Sequence, residues 1–586
     1  MRIVVAAAVA VAGFAPVAQA QEEAPRGDVT LRVAVTQEID SLNPFLSITR
    51  TGTDVLRTAF EQLTTYDAAT LAPVPALAER WEPSADKLTW RFTLRDGAVW
   101  SDGRPITARD AAFTFDLMMR DETARTANGN FVALFESVTA EDERTLVVRT
   151  RSPQATMTAL DVPIVPEHVW SDLDPGAPPT FPMVGSGPFV ITEFKEGQYT
   201  RLVANDRYWR GRPRIDRLDF VYYRNSDAAV AALRNGEVDL VNRLTPAQFD
   251  ELADEPGVSR NKAKGKRFNE ILMNPGAADS AGNPIGDGHP ALRDPVLRRA
   301  IAQSIDTRTL VEKVWGGYGE PGSGYIPPVF ADFHWSTSRP FDIAGANADL
   351  DAAGYARGPD GVRVDPRSGR PLALRLLAHA GTNFDEQSAP YIKGWLGELG
   401  IAVQVQAVSD TKVNEATTRG TFDLAYSGWS ANPDPDYVLS LQTCAARPGA
   451  DGKGATPDSF LCDETYDALY AQQVAEFDRG RRAELVKRMQ QRLHELAPMV
   501  ILGYDDMLEA WRSDRFAAFQ VSPDPGGPIM NQQSYWGYYS ATPIARAEEG
   551  GNTGLVLGAV GGGVVLLAGV GWWLARRRAA SADERE

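Results

Sequence analysis

The stretch that most restricts the fold of this chain runs from Pro213 to Val241. Pro213–Tyr223 reads as a strand, Ala228–Asn235 as a helix closed by Gly236, and Val238–Val241 as a second, short strand. Strand, helix and strand at this spacing call for parallel pairing across a helical crossover, so the pattern predicts an α/β layer. Other segments fit the same class. Val29–Val35 reads as a first strand, Thr53–Leu63 as a helix, and Leu88–Leu94 alternates as a half-buried strand does. Thr107 caps a helix with Asp110 at the capping-box position, and Phe113, Leu117 and Met118 form its apolar stripe. Asp294-Pro295 opens a further helix as N-cap and N1, buried through Val296, Ala300, Ile301 and Ile305. Ala389–Leu399 is a predicted helix, followed by the strand Ile401–Val405. Ala483–Leu496 and Pro498–Leu502 repeat that order.

One turn stands out for its chemistry. The predicted buried strand Phe422–Tyr426 runs into Gly428–Tyr437, Gly-Trp-Ser-Ala-Asn-Pro-Asp-Pro-Asp-Tyr. Pro433 and Pro435 fix their own φ and keep the preceding residues out of the helical region. An indole, an amide and carboxylates are thereby held on stiff backbone at a strand mouth, which suits a small polar ligand. A surface turn has much the same composition.

The two ends set the compartment. Arg2, the apolar run Ile3–Val11 and Ala18-Gln19-Ala20 read as a signal peptide over residues 1–20. No Cys follows that run, which argues against a lipid anchor. Leu555–Leu574 carries no charge over 20 residues, about 30 Å as a helix and enough to cross a membrane. Trp572 and Trp573 sit at its end and Arg576, Arg577 and Arg578 follow, which places residues 575–586 in the cytoplasm. The expectation is an exported ectodomain, a linker at 545–554 and a C-terminal membrane helix. In that compartment Cys444 and Cys462, the two cysteines of the chain, can form a disulfide.

Several function classes drop out. A net charge of -17 disfavours nucleic acid, whose phosphates need a basic face. There is no CxxC or HExxH, so a protein-built metal site is not expected. No GxSxG elbow and no Walker A motif occurs, and no catalytic residue or cofactor is assigned. Gly317–Gly322 matches GxGxxG but lies outside a βαβ unit and reads as an irregular loop. Asp505-Asp506 are adjacent carboxylates of the kind usually found on a solvated surface.

Taken in order, several segments resemble the extracellular solute-binding proteins of peptide-type ABC transporters, the oligopeptide/dipeptide/nickel-binding family. They are Leu42-Asn43-Pro44-Phe45, Pro75–Glu82, Leu88–Gly97 with Trp100–Pro105, Pro166–Trp170, Gly185–Phe189, Leu233–Asp239, Asp294–Asp306 and Gly428–Tyr437. The resemblance implies a two-lobed periplasmic-binding-protein-like clamshell, α/β in class, with an additional α+β domain. It implies lobe I over 28–65, 185–290 and 508–545, the added domain over 66–184, and lobe II over 291–507. It also implies a receptor that performs no chemistry on its ligand, captures a peptide or similar small solute by closure, and hands it to permease subunits. Alternatives are the same fold binding an oligosaccharide, an opine-like compound or a metal chelate, and a surface sensor or adhesion protein without transport.

In the peptide-binding relatives an Asp three residues after the Trp of this turn pairs with the ligand amine. Counted from Trp429, that position is Asn432 here. Either Asp434 supplies the charge, or the ligand has no free amine. The resemblance makes Trp429, Asn432 and Asp434 ligand-binding candidates and adds Phe268 and Asn269, which align with the chain's return toward the cleft. Tyr325, in a Gly-rich loop, is a further pocket candidate.

Overall fold

The computed structural model describes residues 28–337, 339–449, 457–531 and 534–544. The expected signal peptide, linker, membrane helix and cytoplasmic tail lie outside them. Among the described residues no helix is long and apolar enough to cross a membrane.

The crossover predicted from Pro213–Val241 is present. Strand Arg217–Tyr222 feeds helix Ser226–Asn235, whose C-cap Gly236 takes the left-handed conformation at φ 74°, and the chain re-enters the sheet at Leu240–Val241. Both strands lie parallel to Thr30–Val35, one on each side, with Val33 opposite Phe220 and Leu240. This is the centre of a seven-stranded sheet. Its order is Val258–Ala263, Met507–Arg512, Leu240–Val241, Thr30–Val35, Arg217–Tyr222, Tyr199–Ala204 and Phe189–Lys195.

A second, six-stranded sheet runs in the order Gly319–Pro321, Met499–Asp505, Arg267–Met273, Leu424–Ser430, Ala373–His379 and Ala402–Val408. Its central strands are buried on both faces. Ile271, Met273, Leu376 and Leu424 pack with helices Pro295–Gln303 and Asn383–Glu398 on one side. On the other side Phe268, Leu272 and Ala425 pack against helix Arg479–Leu496. Helices on both faces explain why these strands read as apolar runs rather than alternating ones.

A four-stranded antiparallel sheet, Ala78–Pro83, Thr89–Leu94, Thr145–Thr150 and Phe135–Ala140, is crossed by helix Ala108–Arg120. The Asp110 carboxylate accepts from the Thr107 backbone N–H at 2.8 Å, so the capping box forms. The helix buries Phe115, Leu117 and Met118, while the expected Phe113 is only half-buried. Two residues, about 200° around the helix, separate what pattern and packing each choose. Likewise Leu297 replaces Val296 on the buried face of the helix after Asp294. The four-stranded unit shares a core with the first sheet through Trp90, Phe92 and Leu146 against Leu218 and Phe220.

Two connections join the large sheets. Val258–Ala263 leaves the first sheet and, after Lys264-Gly265-Lys266, becomes Arg267–Met273 of the second. Met499–Asp505 leaves the second sheet and, after Asp506 alone, becomes Met507–Arg512 of the first. The strands pair antiparallel on both sides of the crossing, Ala263 opposite Met507 and Asn269 opposite Gly503. Strand Arg267–Met273, expected in the first lobe by the boundary at 290, is therefore hydrogen-bonded into the second sheet. The change of sheet falls at 264–266. The boundary was misplaced because a strand that changes sheets has no composition break.

The crossing admits little side chain. A Cβ on Gly265 would lie 1.8 Å from the Asp505 carbonyl oxygen. We expect Gly265→Ala to destabilise the fold by about 3 kcal/mol, at the upper end of the overpacking range. Urea denaturation measures it, and an unchanged midpoint would refute the close approach.

Candidate functional site

The predicted turn begins later than its sequence suggests. Gly428, Trp429 and Ser430 still belong to strand Leu424–Ser430, and helix Asp436–Ser440 follows Pro435. Gly428 is required by contact, since a Cβ there would meet the Phe268 carbonyl oxygen at 2.3 Å. The ladder places Phe268 opposite Trp429 and Asn269 opposite Gly428, so three of the expected site residues are brought together across two adjacent strands.

Their roles differ. Phe268 is fully buried, its ring 4.6 Å from that of Tyr325, and belongs to the core. Tyr325 is buried too and donates to Asp458 at 3.1 Å. Trp429 is half-buried, with its indole N–H donating to Asp458 Oδ1 at 2.9 Å. Asn269 donates to Asp505 Oδ1 at 2.8 Å, at the crossing. Asn432 is half-buried in the turn.

Asp434 is not the free carboxylate that reading an amine requires. Both its oxygens accept from Arg482, at 2.6 and 2.8 Å, and Oδ1 also accepts the Asp436 N–H at 3.0 Å. Burial works to raise its pKa, but the Arg482 guanidinium overrides burial and holds it below the usual carboxylate value. Arg482 is buried and donates its remaining Nε–H to Gln473 at 2.9 Å. The ion pair ties the turn to helix Arg479–Leu496, so its role is structural. Sequence could not pair two residues 48 positions apart.

Behind Trp429 lies a buried acidic pair. Asp458 accepts from Trp429, Tyr325 and Gln442. It faces Glu270, which is fully buried. Burial first, and then Asp458, push Glu270 well above the ordinary glutamate value, with Arg267 opposing; burial lifts Asp458 to about 6. Protonation of Glu270 relieves the repulsion of two enclosed carboxylates, and its raised pKa favours that form. Cys444 and Cys462 are joined nearby in the chain, with an S–S distance of 2.01 Å.

The sheet crossing carries the cavity that the sequence did not reveal. It has a volume of about 180 Å³, and Arg50, Arg243, Lys266, Arg267, Ser430 and Asp505 are among the residues that line it. The elements converge from both sheets. Arg50 opens helix Arg50–Ala59, Arg243 follows strand Leu240–Val241, Lys266 ends one connection with Arg267 opening the strand after it, and Asp505 ends the strand before the other. Asp505 and Asp506 are half-buried here rather than on a solvated surface. Burial lifts Asp506 to about 6 against the pull of Lys262. Beside the cavity, Asp54 is buried and also lifted to about 6 by desolvation, against Arg50, Arg57, Lys266 and Arg243. The basic run Lys-Gly-Lys-Arg at 264–267, read beside Asp505-Asp506, was the available signal for this site. Among the described residues no group of His, Cys, Asp and Glu could hold a metal ion.

Comparison with known proteins places this geometry. Residues 72–449 match the bacterial extracellular solute-binding proteins, family 5 Middle. Protein XP55 of Streptomyces lividans is 29% identical over 440 residues, covering 74% of this chain and 77% of that protein. Among solved structures, the ABC transporter-associated periplasmic binding protein DppA of Helicobacter pylori, in complex with peptide STSA, superposes with a TM-score of 0.69 at 20% identity. The likeness covers 88% of this chain and 98% of that one. NikZ of Campylobacter jejuni, in complex with Ni(L-His), gives 0.71 at 19% identity, covering 88% and 99%. The likeness shows a two-lobed α/β fold of the periplasmic-binding-protein type.

Two predictions follow from the buried charges. Asp434→Asn strands Arg482 and is expected to destabilise the fold by about 3 kcal/mol in urea denaturation; an unchanged midpoint would show that the pair is dispensable. For the acidic pair the sign is fixed by its raised pKa values. The protonated pair contributes stability in full below the unfolded carboxylate value, about 4.3, and loses it as pH rises through the folded values. The melting temperature should fall as pH rises above about 4.3 and through the Asp458 value of about 6, and Glu270→Gln, which stays neutral, should flatten that fall. Parallel profiles for the two proteins would remove Glu270 from the account.

Proposed function

The chain belongs to the bacterial extracellular solute-binding proteins of family 5, and from that premise we propose that it captures a peptide or a similar small solute and delivers it to an ABC permease. The observation that carries this reading is the paired strand crossing with a cavity at its floor. Two short connections between two covered sheets are what a hinge needs, and closure about them encloses a ligand between the lobes. On this reading the lobes are the two large sheets with their helices, and the four-stranded unit is an addition to the first. No covalent step is assigned to the ligand.

The reading includes the membrane. Leu555–Leu574 with Arg576, Arg577 and Arg578 behind it would tether the receptor with the binding lobes outside, beside the permease. On this reading Trp429 and Asn432 form one wall of the ligand path. With Asp434 engaged by Arg482, Asp436 accepting from Gln473 and an uncharged Asn432, the turn offers no free carboxylate to an amine. This favours, as a second reading, solutes held by other groups.

A thermal-shift screen of the purified chain tests the proposal. A ligand of the folded state at about 100 times its Kd stabilises by about 2.7 kcal/mol. Short peptides are expected to raise the melting temperature. Shifts from opines or nickel chelates but from no peptide would overturn the peptide reading and leave solute capture standing.

A further inference from the structure

The two lobes also meet outside the strand crossing, through side chains. Phe477 joins helix Glu464–Ala475 to helix Arg479–Leu496 of the second lobe. Its ring packs against the core that the four-stranded unit shares with the first sheet, not against the core of its own lobe. It stacks on Trp90, with centroids 5.7 Å and planes 22° apart, and Trp90 in turn stacks on Phe92 at 6.1 Å. Lys87 Nζ lies 4.7 Å from the centre of the same Phe477 ring. Helix Glu464–Ala475 itself packs on the 3-10 turn Ala155–Thr158. Among the described residues, Trp90 Nε1 and Thr156 Oγ1 are enclosed here without a hydrogen-bond partner. A permanent interface pairs such groups, whereas one that opens returns them to water.

A second contact runs the other way. The hairpin of Thr64–Tyr66 and Pro73–Pro75 is tied to the first lobe. Trp536 donates its indole N–H to the Tyr66 carbonyl at 2.8 Å, and the Asp524 N–H reaches the Ala68 carbonyl at 2.9 Å. Leu71, in the hairpin loop, is buried in the cluster of Phe268, Tyr325 and Leu439, which belongs to the second lobe. It holds a left-handed backbone, φ 58°, which a residue with a Cβ rarely takes. Such outliers gather at clamps and switch regions. Each lobe therefore lends one apolar side chain to the other, and rotation about the crossing withdraws both.

We propose that Phe477 and Leu71 form a latch that sets the affinity of solute capture without touching the solute. The inference rests on the reading of the chain as a hinged two-lobed receptor. It gives the four-stranded unit a part in closure, as the surface of the first lobe that the second lobe grips. Where the empty protein is mostly open, apparent affinity scales with the fraction already closed, so a contact made only on closure tightens binding by the factor it adds to that fraction. For an aromatic stack joined by a cation–π contact that factor is about ten.

The test compares the full-length chain with its Phe477→Ala and Phe477→Tyr variants, each also carrying Glu122→Cys and Lys412→Cys for spin labels. Both label positions are exposed, one just after helix Ala108–Arg120 of the four-stranded unit and the other on helix Asp410–Arg419 of the second lobe. Pulsed electron resonance reads the distance between the labels in the unliganded chain, and calorimetry reads the affinity for a random tripeptide pool. Phe477→Ala should move the distances toward the longer population and weaken binding about 10-fold, and Phe477→Tyr, which keeps the stack, should restore both. If Phe477→Ala does not fold, Lys87→Met is read in its place, with an expected loss of about 3-fold. Equal affinity in the unsubstituted chain and the variant overturns the latch, whatever the melting temperature does, because packing alone lowers melting and leaves affinity unchanged. A pool that binds neither protein overturns the peptide reading, and unchanged distances then overturn the latch as well.

Discussion

The constraint on which the arrangement of the two sheets depends is the approach of two backbones where they exchange strands. Gly265 lies so near the Asp505 carbonyl that no side chain fits between them. Everything functional is arranged about that point. The connections are three residues and one residue long, so the two sheets cannot drift apart, and Asp506 lies outside both strands with its N–H donating to the Tyr318 carbonyl at 3.3 Å. Antiparallel pairing resumes at once on both sides, Ala263 with Met507 and Asn269 with Gly503. Rotation is thereby confined to a few φ/ψ pairs, which is how a hinge absorbs large relative motion with little loss of contact.

What the sequence made legible was local. The parallel crossover at Arg217–Val241, the Thr107 capping box and the Asp294-Pro295 helix start are written in neighbouring residues, and all three form. What it hid was pairing at a distance. Asp434 and Asp505 are both acidic residues in polar stretches, and composition treats them alike. One is locked by an arginine from a helix 48 residues on, and the other faces a cavity built by residues from position 50 to position 505. The stripe on helix Ala108–Arg120 failed by the same logic, since periodicity gives a face but only the opposing sheet decides that Phe115 rather than Phe113 fills it.

The turn at Gly428–Tyr437 shows how one stretch divides its labour. Gly428 permits strand contact, Trp429 is oriented by the Asp458 carboxylate, and Asp434 anchors the turn to a helix. Such groups give an ordered wall, not binding energy, and order is what keeps a half-buried indole and amide in place for a ligand. The acidic pair of Glu270 and Asp458 lies beneath this wall, and the Trp429 indole N–H that Asp458 accepts favours its charged form against burial.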